Sequence, residues 1–189
     1  MHALSRLLAL AALALLPAAP ARAGGPWRPA EHRATADARA ETPDGVVPAV
    51  VKVLCRGGDG GTVCVGVKVE DAERVASFDF DAFEGPDAKA AALPLFTGHV
   101  GATTVEGPVA GRAVSDPPGA FLFEFCGPSR GPSGAKTLAH AIAGGAGAGE
   151  VELAIAHPAR DGRAIRARVP ADAPGGDVAK ALKGCPADR

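Results

Sequence analysis

Cysteine is the residue type with the clearest chemistry in this 189-residue chain. The four cysteines are Cys55, Cys64, Cys126 and Cys185, and their spacing contains no close C-x-x-C pair of the kind that zinc sites use. In an exported protein an even number of cysteines indicates disulfides, and four cysteines allow three different pairings. The strands and helices assigned below favour Cys55–Cys64 together with Cys126–Cys185, with a zinc site as the alternative.

A serine in a glycine-rich loop suggests a second chemistry. Residues 127–131 read Gly-Pro-Ser-Arg-Gly, which matches the G-x-S-x-G turn that presents the nucleophile of serine hydrolases. Such enzymes also need an acid and a histidine further along the chain, and Glu150 and His157 follow Ser129 in that order. Both lie in one predicted strand, where residues an odd number apart point to opposite faces. The sequence therefore favours a non-catalytic loop, with a small serine hydrolase as the alternative.

Charged side chains form two further groups. A cluster of arginines on a predicted hairpin suggests a patch that binds an anion or a partner, although such residues also keep a sheet face soluble. These arginines are Arg160, Arg163, Arg166 and Arg168. The acidic segment 79–87 lacks the glycine and the closing glutamate of an EF-hand loop, and the histidines have no metal-ligand spacing. We therefore expect no metal and no cofactor.

The N-terminal 23 residues have the layout of a secretory signal peptide. A basic start, the apolar run Leu7–Leu16 and the small residues Ala21 and Ala23 predict cleavage after Ala23. The run is shorter than the roughly 20 residues that span a membrane, so we expect a periplasmic or extracellular protein without a transmembrane segment. Cleavage removes Arg6 and Arg22 and no acid, which changes the formal charge from −1 to −3. This charge argues against nucleic-acid binding.

The elements that position these residues follow from apolar patterning. Residues 24–46 show no apolar period and predict a flexible leader, so the folded domain is expected to span residues 47–189. Alternating apolar residues predict strands at 47–56, 62–70, 74–83, 98–106, 108–114, 121–126, 150–157 and 164–169. Helical spacing predicts short helices at 135–142 and from Asp177 onward.

The first two strands form a predicted hairpin around the glycine-rich turn at 57–61. If Cys55 lies directly opposite Cys64, their β-carbons come within disulfide reach. This register places Lys52 opposite Val67, which indicates a bulge. At the other end of the domain, Cys185 lies on the apolar face of the last helix, and the end of strand 121–126 is the natural place for it to reach Cys126.

No alternation of strands and helices of the parallel-sheet type is present. The patterning therefore predicts a mainly β fold, either an antiparallel sandwich or a partly closed barrel. One or two short helices accompany it, with the C-terminal helix packed on the sheet.

Residues 121–185 also carry a family resemblance. A strand that ends at a cysteine is followed by the segment Leu138–Gly144, a hairpin and the segment Val178–Leu182. This order resembles the C-terminal part of small exported bacterial proteins of the invasion-associated locus B family. The resemblance implies a β-rich exported domain without established catalysis, and it transfers no site residues. The sequence thus predicts a non-catalytic exported domain with a binding or envelope-structural role toward an unidentified protein or envelope component.

Overall fold

The computed structural model describes residues 27–57, 61–85, 88–90, 92–144, 149–183 and 185. They form a mainly β fold with two short α-helices, as the sequence predicts. The strands are β1 (Arg28–Ala30), β2 (Arg33–Thr42), β3 (Gly45–Arg56), β4 (Thr62–Val69), β5 (Phe96–Val100), β6 (Thr103–Gly107), β7 (Ala110–Val114), β8 (Ala120–Pro128), β9 (Glu150–Ala156) and β10 (Ala164–Pro170). The α-helices are α1 (Gly134–Gly144) and α2 (Asp177–Leu182), and Ala72–Arg74 and Asp81–Phe83 are 3₁₀ helices. The predicted signal peptide, residues 1–23, lies outside the described residues.

The strands form one antiparallel sheet that curls into a half-barrel. Their order is β6-β5-β9-β10-β2-β3-β4-β8-β7, and β1 pairs with the start of β2. The inner face is lined by buried alanines of β2, valines of β3 and β4 and phenylalanines of β8. Helix α1 packs against β4, β5, β6 and β8, and α2 packs against β1, β2 and β3, so the helices fill the concave side. Among the described residues, no helix is long and apolar enough to span a membrane.

The folded domain begins earlier than the sequence predicts. Residues 28–42, assigned to a flexible leader, form β1 and β2, and β2 lies in mid-sheet between β10 and β3. Every second residue of β2 is a buried alanine. These are Ala34, Ala36, Ala38 and Ala40. Trp27 is buried as well, and its indole N–H donates a hydrogen bond to the carbonyl of Pro170 at 2.9 Å. The prediction of a leader is wrong because small alanines satisfy the two-residue strand period without the hydrophobicity that usually marks it.

The hairpin of β3 and β4 forms with a register one residue away from the predicted one. Leu54, rather than Cys55, pairs with Cys64, so the two cysteines point to opposite faces of the sheet. Cys64 lies opposite Cys126 of β8 and is bonded to it, with the two Cα atoms 4.1 Å apart. Cys55 points inward and is bonded to Cys185, which follows α2. The presence of two disulfides is confirmed, but the predicted pairing Cys55–Cys64 with Cys126–Cys185 is wrong.

Residues 74–83 do not form the predicted strand. They fold as turns and a 3₁₀ helix that lay their aromatic rings against the inner face of β8. Phe78 stacks on Phe83 with ring centroids 5.7 Å apart, and Phe80 lies 4.9 Å from Phe121. The alternation of phenylalanine and aspartate in this segment therefore does not indicate a strand. Turns can also place successive side chains on opposite sides, so that here the phenylalanine rings pack together while the aspartates stay exposed.

The predicted strand 98–106 is instead a hairpin, because the chain turns at residues 101–102 between β5 and β6. The predicted strand 108–114 corresponds to β7. The late hairpin forms as predicted, and its apolar residues face one another, with Ile165 opposite Ile155 and Val169 opposite Val151. Helix α2 packs on the sheet as expected.

Candidate functional site

Positive charge is concentrated on the outer face of the sheet, around the adjacent strands β3, β4, β8 and β7. The pairing of these strands aligns outward residues in rows, and Lys52, Gly66 and Glu124 form one such row. The neighbouring rows add further outward cations from β2, β3, β4 and β7. We define the basic face as Arg33, Lys52, Arg56, Lys68 and Arg112 together with the carboxylates of Glu70 and Glu124.

Glu124 holds two arginines of the basic face. Its side chain is 10% exposed, and both carboxylate oxygens accept hydrogen bonds from Nη2 of Arg56 at 2.7 Å. Nε of Arg112 lies 3.8 Å from the same carboxylate. The side chains of Arg56 and Arg112 nevertheless stay 51% and 56% exposed. The carboxylate thus orients two guanidinium groups and leaves about half of each side chain open to solvent.

Lys52, like Arg33, is a cation of the basic face for which the described residues provide no ion-pair partner. It is half-buried, and among the described residues no hydrogen bond or ion pair engages its ammonium group. Burial lowers the pKa of Lys52, and the positive charge of Lys68 lowers it further, against an opposing effect of Glu124. Lys68 itself is paired with Glu70 at 2.9 Å. An anion placed beside Lys52 would relieve both the repulsion and the loss of hydration.

The basic face carries more positive than negative charge. It combines five cations with two carboxylates, an excess of three, in a chain whose formal net charge is −1. A concentration of one sign on a low-dielectric surface raises the local concentration of ions of the opposite sign. The chemistry that this surface offers is therefore the attraction and hydrogen bonding of anions.

Gly66 makes room for the buried carboxylate. A Cβ at this position would lie 2.5 Å from the backbone oxygen of Phe123 and 3.4 Å from Cγ of Glu124. A larger residue would therefore push β4 away from β8 and lift Glu124 off the sheet. The glycine is what allows Glu124 to pack against the strands while it contacts the arginines.

A disulfide fixes the strands beneath the basic face. Cys64 and Cys126 lie on the outer face, one row along from Gly66 and Glu124, and join β4 to β8. On the opposite face, Cys55 ties β3 to the end of α2. Both strands that carry the lysines of the basic face are thus covalently anchored.

The late-hairpin arginines, predicted as an anion or partner patch, are matched by acids. Arg168 contacts three carboxylates. These are Glu41 at 2.9 Å, Glu150 at 3.9 Å and Glu152 at 2.9 Å. Arg163 donates hydrogen bonds to Asp161 and to the carbonyl of Ser77, and it lowers the pKa of Asp161 to about 2. Counting Arg39, which lies opposite Arg168 on β2, five arginines here meet the four carboxylates of Glu41, Glu150, Glu152 and Asp161, an excess of one against three on the basic face.

Ser129 and His157 lie at opposite ends of the sheet. The Ser129 N–H donates to the carbonyl of Gly61, just before β4 begins, at 3.1 Å. His157 follows the end of β9, where its Nδ1 accepts a hydrogen bond from the N–H of Ala159 at 3.2 Å. Five antiparallel pairings separate β9 from β8, so these two strands run in opposite directions and end at opposite edges. The structure does not bring the serine and the histidine together as a catalytic group.

Metal-ligand side chains are also not gathered. In the described ranges, no group of three or more His, Cys, Asp or Glu side chains is placed to hold a metal ion. Asp79 of the acidic segment accepts a hydrogen bond from the N–H of Ala82 at 3.2 Å, which is a turn-stabilising contact. All four cysteines are consumed by disulfides.

The basic face was not predicted from the sequence. Its cations come from the consecutive strands β2, β3 and β4 and from the distant β7, and only the sheet register shows that they lie together. The sequence contained one indication that the predicted register was wrong. That register placed the charged side chain of Lys52 opposite the core residue Val67. The observed register sets Lys52 against Gly66 and needs no bulge.

Comparison of the chain with protein-family models, with curated proteins and with solved structures finds no match. The function proposed below is therefore inferred from the geometry of the basic face.

Proposed function

We propose that this protein is an exported, non-catalytic domain that binds an anionic component of the cell envelope through its basic face. The observation that carries the proposal is the excess of three positive charges on the outer face of the most strongly braced part of the sheet. Cations that are held on strands, and oriented by a buried carboxylate, lose little conformational freedom on binding.

Two further observations support export. Disulfides persist in oxidising compartments, and the fold contains two of them. The N-terminal residues have the pattern of a secretory signal, and the resemblance of residues 121–185 to the locus B family points to the same compartment. Binding, rather than catalysis, agrees with the separation of Ser129 from His157.

Affinity capture from a cell-envelope extract tests the proposal. The bait is the protein without residues 1–23, compared with a K52Q/R112Q variant that removes two cations of the basic face. An R39Q/R166Q variant is the matched control, because it removes two exposed cations from the same outer face, outside the basic face. We expect the wild type and the control to retain the same component and K52Q/R112Q to lose it. Equal capture by all three proteins would show that the basic face is not the contact surface.

A further inference from the structure

We propose that the basic face binds an extended polymer of repeated phosphate groups that lies across β3, β4, β8 and β7. This inference rests on the proposed function and names the ligand class of the same surface. The polymer carries no bases and is recognised by its charge and by the spacing of its phosphates.

The basic face is too wide for a single anionic group to contact all of its cations. Lys52 and Arg56 lie on β3, Lys68 on β4 and Arg112 on β7, with β8 between the last two strands. Neighbouring strands are about 4.8 Å apart, so β3 and β7 are separated by about 14 Å. A single phosphate reaches only the cations nearest to it. A chain that crosses the strands brings successive phosphates to all four.

The kind of cation favours phosphate over carboxylate. Arginine presents a planar fork of N–H donors that fits phosphate oxygens, and the basic face holds two such forks already oriented by Glu124. Lys52 adds a point charge without an acidic partner among the described residues. A phosphate diester keeps its negative charge across the physiological pH range, so its attraction does not depend on titration of the ligand.

The placement of aromatic residues argues against a nucleic acid. Single-stranded nucleic acids bind through a basic groove together with aromatic side chains on which bases stack. In the described structure the rings are turned to the other side: Trp27 is buried, and the phenylalanines of β5 and β8 point to the inner face. The basic face thus offers contacts to phosphates without aromatic rings on which bases could stack.

Fluorescence anisotropy with a labelled inorganic polyphosphate chain tests the inference. We expect binding to weaken by about 600-fold for a tenfold rise in salt, the slope that about four phosphate contacts give for a single strand. The K52Q/R112Q variant should bind about 100-fold more weakly, because it loses two contacts and each lost contact to a charged group is worth about tenfold. The R39Q/R166Q control should bind within about twofold of wild type. R112Q alone, on an exposed edge-strand site, repeats the test with a smaller expected loss if the double variant unfolds.

Four comparison probes distinguish the alternatives. These are inorganic phosphate, polyglutamate, a single-stranded oligonucleotide and vesicles of an anionic phospholipid. Polyglutamate that binds as tightly as polyphosphate would overturn the choice of phosphate, and an oligonucleotide that binds more tightly would overturn the choice of a base-free chain. Binding to vesicles or to inorganic phosphate without binding to polyphosphate would overturn the extended polymer.

The same variants separate this inference from the proposed function. If K52Q/R112Q abolishes capture from the envelope extract but the wild type does not bind polyphosphate at low salt, the ligand class is wrong and the contact surface stands. If K52Q/R112Q keeps capture and the wild type does not bind polyphosphate, both proposals fail. A Lys52 pKa that rises on addition of polyphosphate, measured by NMR, gives a readout that a merely structural lysine would not give.

Discussion

Replacing Cys55 and Cys185 with alanine removes the covalent link between the sheet and α2. We expect the free energy of unfolding to fall by about 4 kcal/mol. The apolar contacts of α2 remain in this variant, because Val178 and Leu182 are buried against the core independently of the disulfide. The variant should therefore fold, and its loss of stability should reflect the cross-link.

The magnitude follows from the lengths of the two loops. Cys55 and Cys185 are 130 residues apart and enclose Cys64 and Cys126, which are 62 residues apart. With the inner disulfide intact, the outer one closes an effective loop of roughly 70 residues in the unfolded chain, which corresponds to about 4 kcal/mol. Removing both disulfides should cost about 8 kcal/mol. Since typical domains are stable by about 5–15 kcal/mol, the chain without either disulfide should be largely unfolded or close to it.

Urea unfolding followed by tryptophan fluorescence measures this loss. Trp27 is the only tryptophan and is 6% exposed, so its emission reports on the folded state. With a slope of about 2 kcal/mol per molar urea, the midpoint should fall by about 2 M. Replacing Cys64 and Cys126 with alanine removes the other disulfide, which closes a loop of similar length. This variant should therefore lower the midpoint by a similar amount. A shift under about 0.5 M, or non-reducing peptide maps that join Cys55 to Cys64, would refute the reasoning.

Three further predictions follow from the structure. Gly66→Ala should destabilise the protein by about 1–3 kcal/mol because its Cβ meets backbone, whereas Gly57→Ala, which meets no atom within 4 Å, should change the urea midpoint little; equal effects would contradict the close approach. The pKa of Asp161 is lowered from 3.8 to about 2, chiefly by its hydrogen bond from Arg163, so its stabilising effect is present above pH 4 and is lost as the pH falls toward 2. The melting temperature of the wild type should therefore drop more over this range than that of Asp161→Asn, and parallel curves would rule this out. A chain shortened to begin at residue 47 lacks β2 from mid-sheet and should show no cooperative unfolding; a sharp transition would restore the leader hypothesis.

Patterning predicted the two strands of the late hairpin. In β9 and β10 the large apolar residues occupy one parity only, and all charged residues occupy the other. A shift of one residue would expose the whole apolar set, so a single register is possible.

The register of β3 with β4 was not predictable in this way. Strand β3 has apolar residues at both parities, since Val50 and Leu54 face outward while Val51 and Val53 face inward. Two registers would therefore bury similar areas of hydrophobic surface. Which of them forms depends on how β3 pairs with β2 and how β4 pairs with β8. The pairing Cys55–Cys64 was the consequence of the wrong choice.

The candidate site was beyond the reach of local patterning for a related reason. Lys52, Lys68 and Arg112 belong to three strands, and in its own stretch of sequence each is typical of a solvent-exposed strand residue. Only their neighbours across the sheet show that these cations belong to one charged surface. Glu124 adds to this difficulty, because its burial depends on the absence of a side chain at Gly66.

The nested order of the disulfides has a consequence for how the protein matures. An oxidant that joins thiols in the order in which they occur along the chain would first link Cys55 to Cys64, which is a non-native bond. Correct oxidation requires these two thiols to stay apart until β8 has paired with β4 and α2 has docked. The sheet must therefore assemble before its cross-links close, or a disulfide isomerase must exchange the early bond. For this protein, the supply of an isomerase during oxidation should govern the yield of the native form more than the supply of an oxidant.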